Sequence, residues 1–504
     1  MHHCFHISEV RQQIFSTVYS SDEDSLRRRH DSILLEWPKL IDSSSRQTLA
    51  ALARTCRDFS EPALDILWAR LDTLEPLVRC FPDSVWSVSD EGVIDLEEPI
   101  LAVAWHEFRR HARRVHALGR ASSLFGNMSK DFIIALGCFP SREGLLPNLR
   151  ELYWYSHEDG DLDSFMRYFL TPTLRSIRIS SFECTVIQCS MVSFIGAMCR
   201  ELEIFEYSSS SPGSDDTGVL GFVSEYDWLS MDSLRALKII SPFRMPNCYL
   251  PHNLNTLSVR LIPEEWSSYG PQCMKTLETL ELRSPTFLPC TCFIQKIEAP
   301  LLRKLIVDCE SHPPAATIGK LFTSLQAQFP HSIMESITVK AGKPRLRNGD
   351  KYPCTMQAIR PLLAFSLIKE LHLGSLNMSH IDDTDMHEIA SSLPGIESLF
   401  LGTRYFWKET PRILDPVTQE KPGGGVMNTT ITTLSVGCSK FHDPTEVAVV
   451  LSAVLPSLKK IVVETLGQNN DREARQEGWE EVVEWVQFFA KIREQERRKN
   501  GTES

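Results

Sequence analysis

A six-residue pattern, apolar-x-x-apolar-x-apolar, recurs twelve times between Leu149 and Leu458. It reads LRELYW from Leu149, LRSIRI from Leu174, LEIFEY from Leu202, LRALKI from Leu234, LNTLSV from Leu254 and LETLEL from Leu277. It continues as LRKLIV from Leu302, MESITV from Met334, IKELHL from Ile368, IESLFL from Ile396, ITTLSV from Ile431 and LKKIVV from Leu458. A helix repeats near 3.6 residues and a strand at 2.0, so a spacing of three and then two belongs to neither alone. It suits a short strand whose last two apolar residues point inward, entered by a turn whose apolar residue packs beneath it. The mean step is about 28 residues, within the range of stacked-repeat architectures. Ordering such a segment costs about 1 kcal/mol or more per residue, whereas its three signature side chains contribute about 1.5 to 3 kcal/mol each. One segment therefore cannot fold alone, and stacking onto neighbours is required.

Helical patterning fills the intervals, in DSFMRYFL (163–170), CSMVSFIGAMC (189–199), TIGKLFTSLQAQF (317–329) and DTDMHEIASSL (383–393). The expected fold is thus α/β, a parallel sheet with helices on its convex side. Residues 140–466 resemble the leucine-rich repeat family, which implies a solenoid. The family's asparagine or cysteine three residues beyond the last apolar position is replaced here by His157, Phe182, Pro285 and Glu310, so the expected array is irregular. Polar stretches at 208–218, 340–353 and 415–428 read as loop insertions. The glycine run in the last has no following Lys-Ser or Lys-Thr pair, which argues against a phosphate loop.

Residues 1–72 read differently. Ile7, Val10 and Ile14 recur at helical spacing, and Leu49, Leu52, Ala53 and Cys56 form one helical face. A third helix is expected from SEPALDILW, with Ser60 as cap, Pro62 in the first turn and Leu64, Leu67, Trp68 and Leu71 on its apolar face. An insertion spans 20–45. Three such helices make too small a core to stand comfortably alone, so a partner is expected. HISEVRQQIF followed by LAALARTCRDFSEPALDILW resembles an F-box at Ile7, Glu9, Val10, Ile14, Phe15, Leu49, Leu52, Cys56, Arg57, Phe59 and Trp68, with Ser8 where that family usually has proline. The resemblance implies that the matching residues other than Arg57, with Ala53 and Leu64, dock on the Skp-type adaptor of a cullin-RING ubiquitin ligase. The other reading is that 5–71 caps the first repeat and buries the same side chains internally.

Residues 73–139 are read as linker and basic helix. The first part, 72–100, suggests an irregular connector, and 103–120 a helix with Trp105, Phe108, Ala112, Val115 and Leu118 along one stripe. Its other face carries Arg109, Arg110, Arg113 and Arg114, read as solvated surface. Residues 467–504 hold an amphipathic helix in which Trp479, Val482, Val483 and Val486, extended by Phe489 and Ala490, form a lid for the array. Trp485 and Phe488 make a second stripe.

The net charge of -12 disfavours a phosphate-tracking nucleic-acid binder and attraction to membranes. No run of 18 apolar residues occurs, and the expected setting is intracellular, cytoplasm or nucleus. Fourteen cysteines spread over 504 residues suit reduced core thiols, and neither metal nor cofactor is expected. No nucleophile elbow, metalloprotease pair or dinucleotide fingerprint is present, so a binding protein rather than an enzyme is expected. The family resemblance implies a substrate receptor that holds a protein target on its repeats, with a scaffold unconnected to ubiquitin as the alternative. Residues flanking the inward positions are the candidates for that target face: Tyr153, Tyr155, Arg178, Glu206, Lys238, Arg260, Glu281, Arg283, His372 and Phe400. Tyr153, Tyr155, Arg260 and Arg283 are the expected anchors.

Overall fold

The computed structural model describes residue 13 and residues 43–119, 124–138, 144–156, 163–181, 186–209, 231–240, 250–261, 271–342, 353–378, 380–381, 383–401, 427–437, 443–463 and 469–500. They belong to two bodies, residues 1–234 and 235–504. The division falls inside the stretch read as one array.

The amino-terminal body contains α1 (Ser43–Thr55), α2 (Arg57–Ala69), β1 (Arg70–Leu71), α3 (Glu75–Val78), β2 (Trp86–Val88), β3 (Ile94–Leu96), α4 (Trp105–Ala112) and β4 (Ala117–Leu118). After these come α5 (Lys130–Gly137), β5 (Glu151–Ser156), a 3-10 helix (Asp163–Tyr168), β6 (Ser176–Ser181), α6 (Val186–Met198) and β7 (Ile204–Ser209). Strands β1, β4, β5, β6 and β7 lie side by side in that order, all parallel, while β2 and β3 pair antiparallel.

The carboxy-terminal body contains β8 (Ala236–Ile240), β9 (Thr256–Arg260), β10 (Gln272–Cys273), β11 (Thr279–Ser284), α7 (Phe287–Ile294), β12 (Ile297–Glu298), β13 (Lys304–Cys309), α8 (Ala315–Gln328) and β14 (Ser336–Ala341). It continues with α9 (Met356–Ile359), a 3-10 helix (Arg360–Ala364), β15 (Glu370–Leu373), α10 (Asp383–Ser392), β16 (Ser398–Leu401), β17 (Thr433–Gly437), α11 (Pro444–Val454), β18 (Lys460–Val463) and α12 (Asn469–Asn500). Here β8, β9, β11 and β13 to β18 form a parallel sheet in chain order, and β10 pairs with β12 apart from it.

Each of the twelve recurrent segments is a strand of one of these sheets, entered two residues after its first apolar side chain. Those first residues are all buried, from Leu149 to Leu458. The second apolar positions align across neighbouring strands, as in Leu257, Leu280, Leu305 and Ile337, and the third do likewise in Val259, Leu282, Val307 and Val339. A one-residue slip would turn both rows outward, so the burial pattern fixes the register.

Strand entry follows a repeated hydrogen-bond scheme. The N–H of the first apolar residue donates to the carbonyl three residues earlier, as from Leu277 to Met274, Leu302 to Ala299 and Ile396 to Leu393. The carbonyl just after the first apolar residue then accepts two N–H groups from the next rung: Glu278 from Arg303 and Lys304, Arg303 from Glu335 and Ser336, Glu335 from Lys369 and Glu370. Threonine hydroxyls reinforce three rungs, Thr173 donating to the Leu149 carbonyl, Thr276 to Leu254 and Thr430 to Ile396, at 2.8, 2.9 and 2.6 Å. Backbone and threonine thus satisfy the strand-entry turns.

Several sequence expectations need correction. Residues 72–100 are not an irregular connector: they hold α3 and the β2–β3 hairpin, with Leu74, Leu77, Val78, Phe81 and Ile94 buried. The helix expected over 103–120 ends at Ala112, because Leu118 is taken into β4 between Leu71 and Leu152. Val115 and Leu118, three apart, satisfy a helical stripe and the first two positions of a rung equally well, and pairing decides between them. Helix α2 starts at Arg57 rather than near Ser60. Extended Cys56 stands at its cap position and Pro62 lies inside the helix. Helix α1 begins at Ser43, within the stretch read as an insertion. Of the expected return helices, 163–170 is largely 3-10, while the other three fall within or overlap α6, α8 and α10. The expected loops at 208–218, 340–353 and 415–428 fall largely outside the described residues.

Candidate functional site

Two surfaces carry the expected binding residues. The first is the α1–α2 pair of the amino-terminal body. Leu49 and Ala63 are fully buried between the helices, and Leu52, Ala53, Phe59, Ile66 and Leu67 pack partly buried around them. Cys56, Leu64 and Trp68 are also half-buried. Ile7, Glu9, Val10, Ile14 and Phe15 lie outside the described residues.

The opposite face of α2 is engaged by its own body. Glu61 and Asp65, one turn apart, both accept from the Arg114 guanidinium, and Arg110 lies 3.5 Å from Glu61. One turn further, Trp68 stacks on His111 at 4.3 Å between ring centroids. The Arg114 hydrogen bond holds the Glu61 carboxyl below the usual range. Burial, and then the neighbouring Arg114 and Arg110 charges, pull the His111 imidazole down. Arg110 and Arg114, read as solvated surface, are therefore committed to acidic partners on α2, and Arg114 retains only 11% side-chain exposure. Arg109 and Arg113 are exposed.

The second surface is the sheet face between the inward rows. In the amino-terminal body, Tyr153, Arg178 and Glu206 are direct cross-strand neighbours. The Arg178 guanidinium sits 5.2 Å over the Tyr153 ring, with its Nε 3.6 Å from Glu206. The Tyr153 hydroxyl donates to Glu151 at 3.2 Å, and burial raises its pKa. Tyr155, two residues along the strand, is 44% exposed.

In the carboxy-terminal body the same row runs Lys238, Ser258, Glu281, Ile306, Thr338, His372 and Phe400. The buried Glu281 carboxylate accepts from Ser258 Oγ at 2.8 Å and from Arg283 Nε at 2.9 Å. Arg260 pairs with Glu310 at 2.6 Å. His372 stacks on Phe400 at 4.2 Å, with Ser398 Oγ 3.4 Å from its Nε2.

The expectation that all these residues project as contacts is corrected at four positions. Tyr153, Arg178, Lys238 and Glu281 are each under 9% exposed, because flanking strands about 4.8 Å away crowd the middle row. Arg178 and Glu281 are held by opposite charges, as burial of ions requires. The more accessible candidates are Tyr155, Arg260, Arg283, His372 and Phe400, while Glu206 is half-buried beside Arg178. Sequence reading missed Ser258 and Glu310, which fix Glu281 and Arg260. The spacing of successive rungs carries the signal for Ser258, since equal offsets from Leu257 and Leu280 place it beside Glu281.

No protein-family model and no curated protein matches this chain. Among the described residues no helix is long and apolar enough to cross a membrane, and no group of three or more His, Cys, Asp or Glu side chains could hold a metal ion.

Proposed function

We propose that the chain is an F-box protein with degenerate leucine-rich repeats, the substrate-recognition subunit of a cullin-RING ubiquitin ligase. Its α1–α2 region binds a Skp-type adaptor, and the accessible sheet-face residues hold a protein target. The observation that supports this reading is the small α1–α2 core, in which Leu52, Ala53, Cys56, Phe59 and Leu64 remain only half-buried beside parallel-stranded repeats. Half-exposed apolar side chains on a two-helix pair suit completion by another polypeptide. Catalysis then lies in other subunits. This chain contributes effective concentration by keeping a target lysine near the ubiquitin donor.

A second reading has a specific observation in its favour. Helix α2 runs directly into β1, and Trp68 is stacked on His111, as in a cap on the first rung of a scaffold unconnected to ubiquitin. Co-expression with the adaptor separates the two. The expected result is a co-purifying complex that Leu52→Asp abolishes while the thermal midpoint of the isolated chain stays within a few degrees. Absence of a complex with the unaltered chain would favour the scaffold.

A further inference from the structure

We propose that the outward face of α12 is a self-association surface that takes the same helix of a second copy of this chain, antiparallel. The helix carries two apolar seams. Trp479, Val482 and Val486 are buried, and the helix packs on α11 and β18. Trp485, Phe488 and Ile492 point the other way, 37%, 52% and 37% exposed. Their spacing of three and then four is the seam of a helix pair rather than a scatter of surface residues. Trp485 and Phe488 meet edge to face at 5.8 Å, Phe489 stacks on Trp485 at 5.7 Å, and the Trp485 indole donates to Glu481 at 3.4 Å, so the patch is preorganised.

Charge selects the occupant. Exposed acids precede the seam, at Glu477, Glu480, Glu481 and Glu484, and exposed Lys491 follows its centre. In an antiparallel pair, the layer joining Trp485 to Phe488 of the second copy brings Glu484 opposite Lys491 of that copy. The two-fold axis repeats the pair on the other side. Moving the layer so that Phe488 meets Ile492 sets Lys491 against Lys491, and a parallel pair sets Glu484 against Phe489, so neither forms the Glu484–Lys491 pair. The Glu484–Lys491 pairing thus exists in one orientation and one register, and it is reciprocal, as an isologous contact must be. The seam is short, which places the association in the micromolar range or weaker. The inference does not depend on the adaptor reading.

Sedimentation velocity of the full chain over a concentration series tests it. The unaltered chain is expected to move from monomer toward dimer as concentration rises. Phe488→Asp should abolish that shift, and Glu484→Lys or Lys491→Glu alone should weaken it roughly tenfold, since each sets two like-charge pairs across the contact. An equimolar mixture of the two charge variants should associate again, because each supplies what the other lacks. All three side chains are solvent-facing, so unchanged thermal midpoints are expected and guard against misfolding. A chain that stays monomeric throughout, a Phe488→Asp variant that still dimerises, or a mixture no better than its components overturns the proposal. So does capture of an unrelated polypeptide on this seam by a chain that never self-associates.

Discussion

His111 shows how one side chain couples charge to packing. Its ring lies against Trp68, its Nδ1 is buried without a hydrogen-bond partner among the described residues, and Arg110 and Arg114 stand nearby along with Glu61 and Glu107. Burial dominates, so the folded state holds the imidazole below its ordinary value of 6.5. A depressed folded-state pKa means that the unfolded chain takes up the proton first. Stability is therefore full above 6.5 and falls as pH drops below it. The lowered Glu61 carboxyl acts in the same direction from its ordinary 4.5 downward. The thermal midpoint is expected to decline as pH is lowered from about 7.5 to 5.5, and His111→Gln should flatten that decline. An equally steep decline in the variant would show that another group governs it. The local sequence does not single out His111, since its stacking partner lies on a different helix.

At the scale of elements, the rung is what the chain repeats. Leu280 is fully buried on β11, whereas Leu288, in the following helix α7, is 64% exposed. Leu280→Ala is expected to cost about 2 to 5 kcal/mol through lost burial and an unfilled cavity, and Leu288→Ala less than about 0.5 kcal/mol. Urea unfolding monitored for the whole chain measures both, and similar values would contradict the inward assignment of the second apolar position. All twelve strands from β5 onward within the two sheets were legible from apolar spacing, while β1 and β4 were not. Trp68 and Leu71, then Val115 and Leu118, keep the first spacing of three, but Thr73 stands where the first of these rungs needs its third apolar residue. Without the final strand-like step, both pairs read as helix. A turn signal in the sequence went unused: LPNL at 146–149, TPTL at 171–174, APLL at 299–302, LPGI at 393–396 and LPSL at 455–458 each place a proline ahead of the first apolar residue. That is the turn which the backbone hydrogen bonds close.

For the molecule as a whole, stability is organised rung by rung within each body. In the carboxy-terminal body α12 covers the last strand, with Trp479, Val482 and Val486 buried and the Arg493 guanidinium donating to the Val449 carbonyl of α11 at 3.1 Å. Nearest-neighbour stacking predicts that removing residues 469–500 loosens α11 and β18 first, with protection recovering toward β11. Hydrogen exchange of the truncated chain is expected to show that gradient. Uniform loss across β8 to β18 would mean that the body unfolds as one cooperative block instead.

Taken alone, the sequence determined the twelve recurrent strands, their parallel stacking and the inward rows, because burying three apolar side chains every 28 residues or so leaves few other solutions. It also marked the face on which the candidate residues stand. Which of those residues stay accessible was decided by tertiary structure. Glu281 is enclosed by Ser258 of the neighbouring strand as well as by Arg283 of its own, and Arg260 is paired with Glu310 two strands away; the cross-strand relations are set by register and not by local pattern. The same holds for Gly342, where an added Cβ would overlap the carbonyl of Glu310. Apolar periodicity is a property of a segment, whereas close approach, ion pairing and exposure belong to neighbours that only the folded chain brings together.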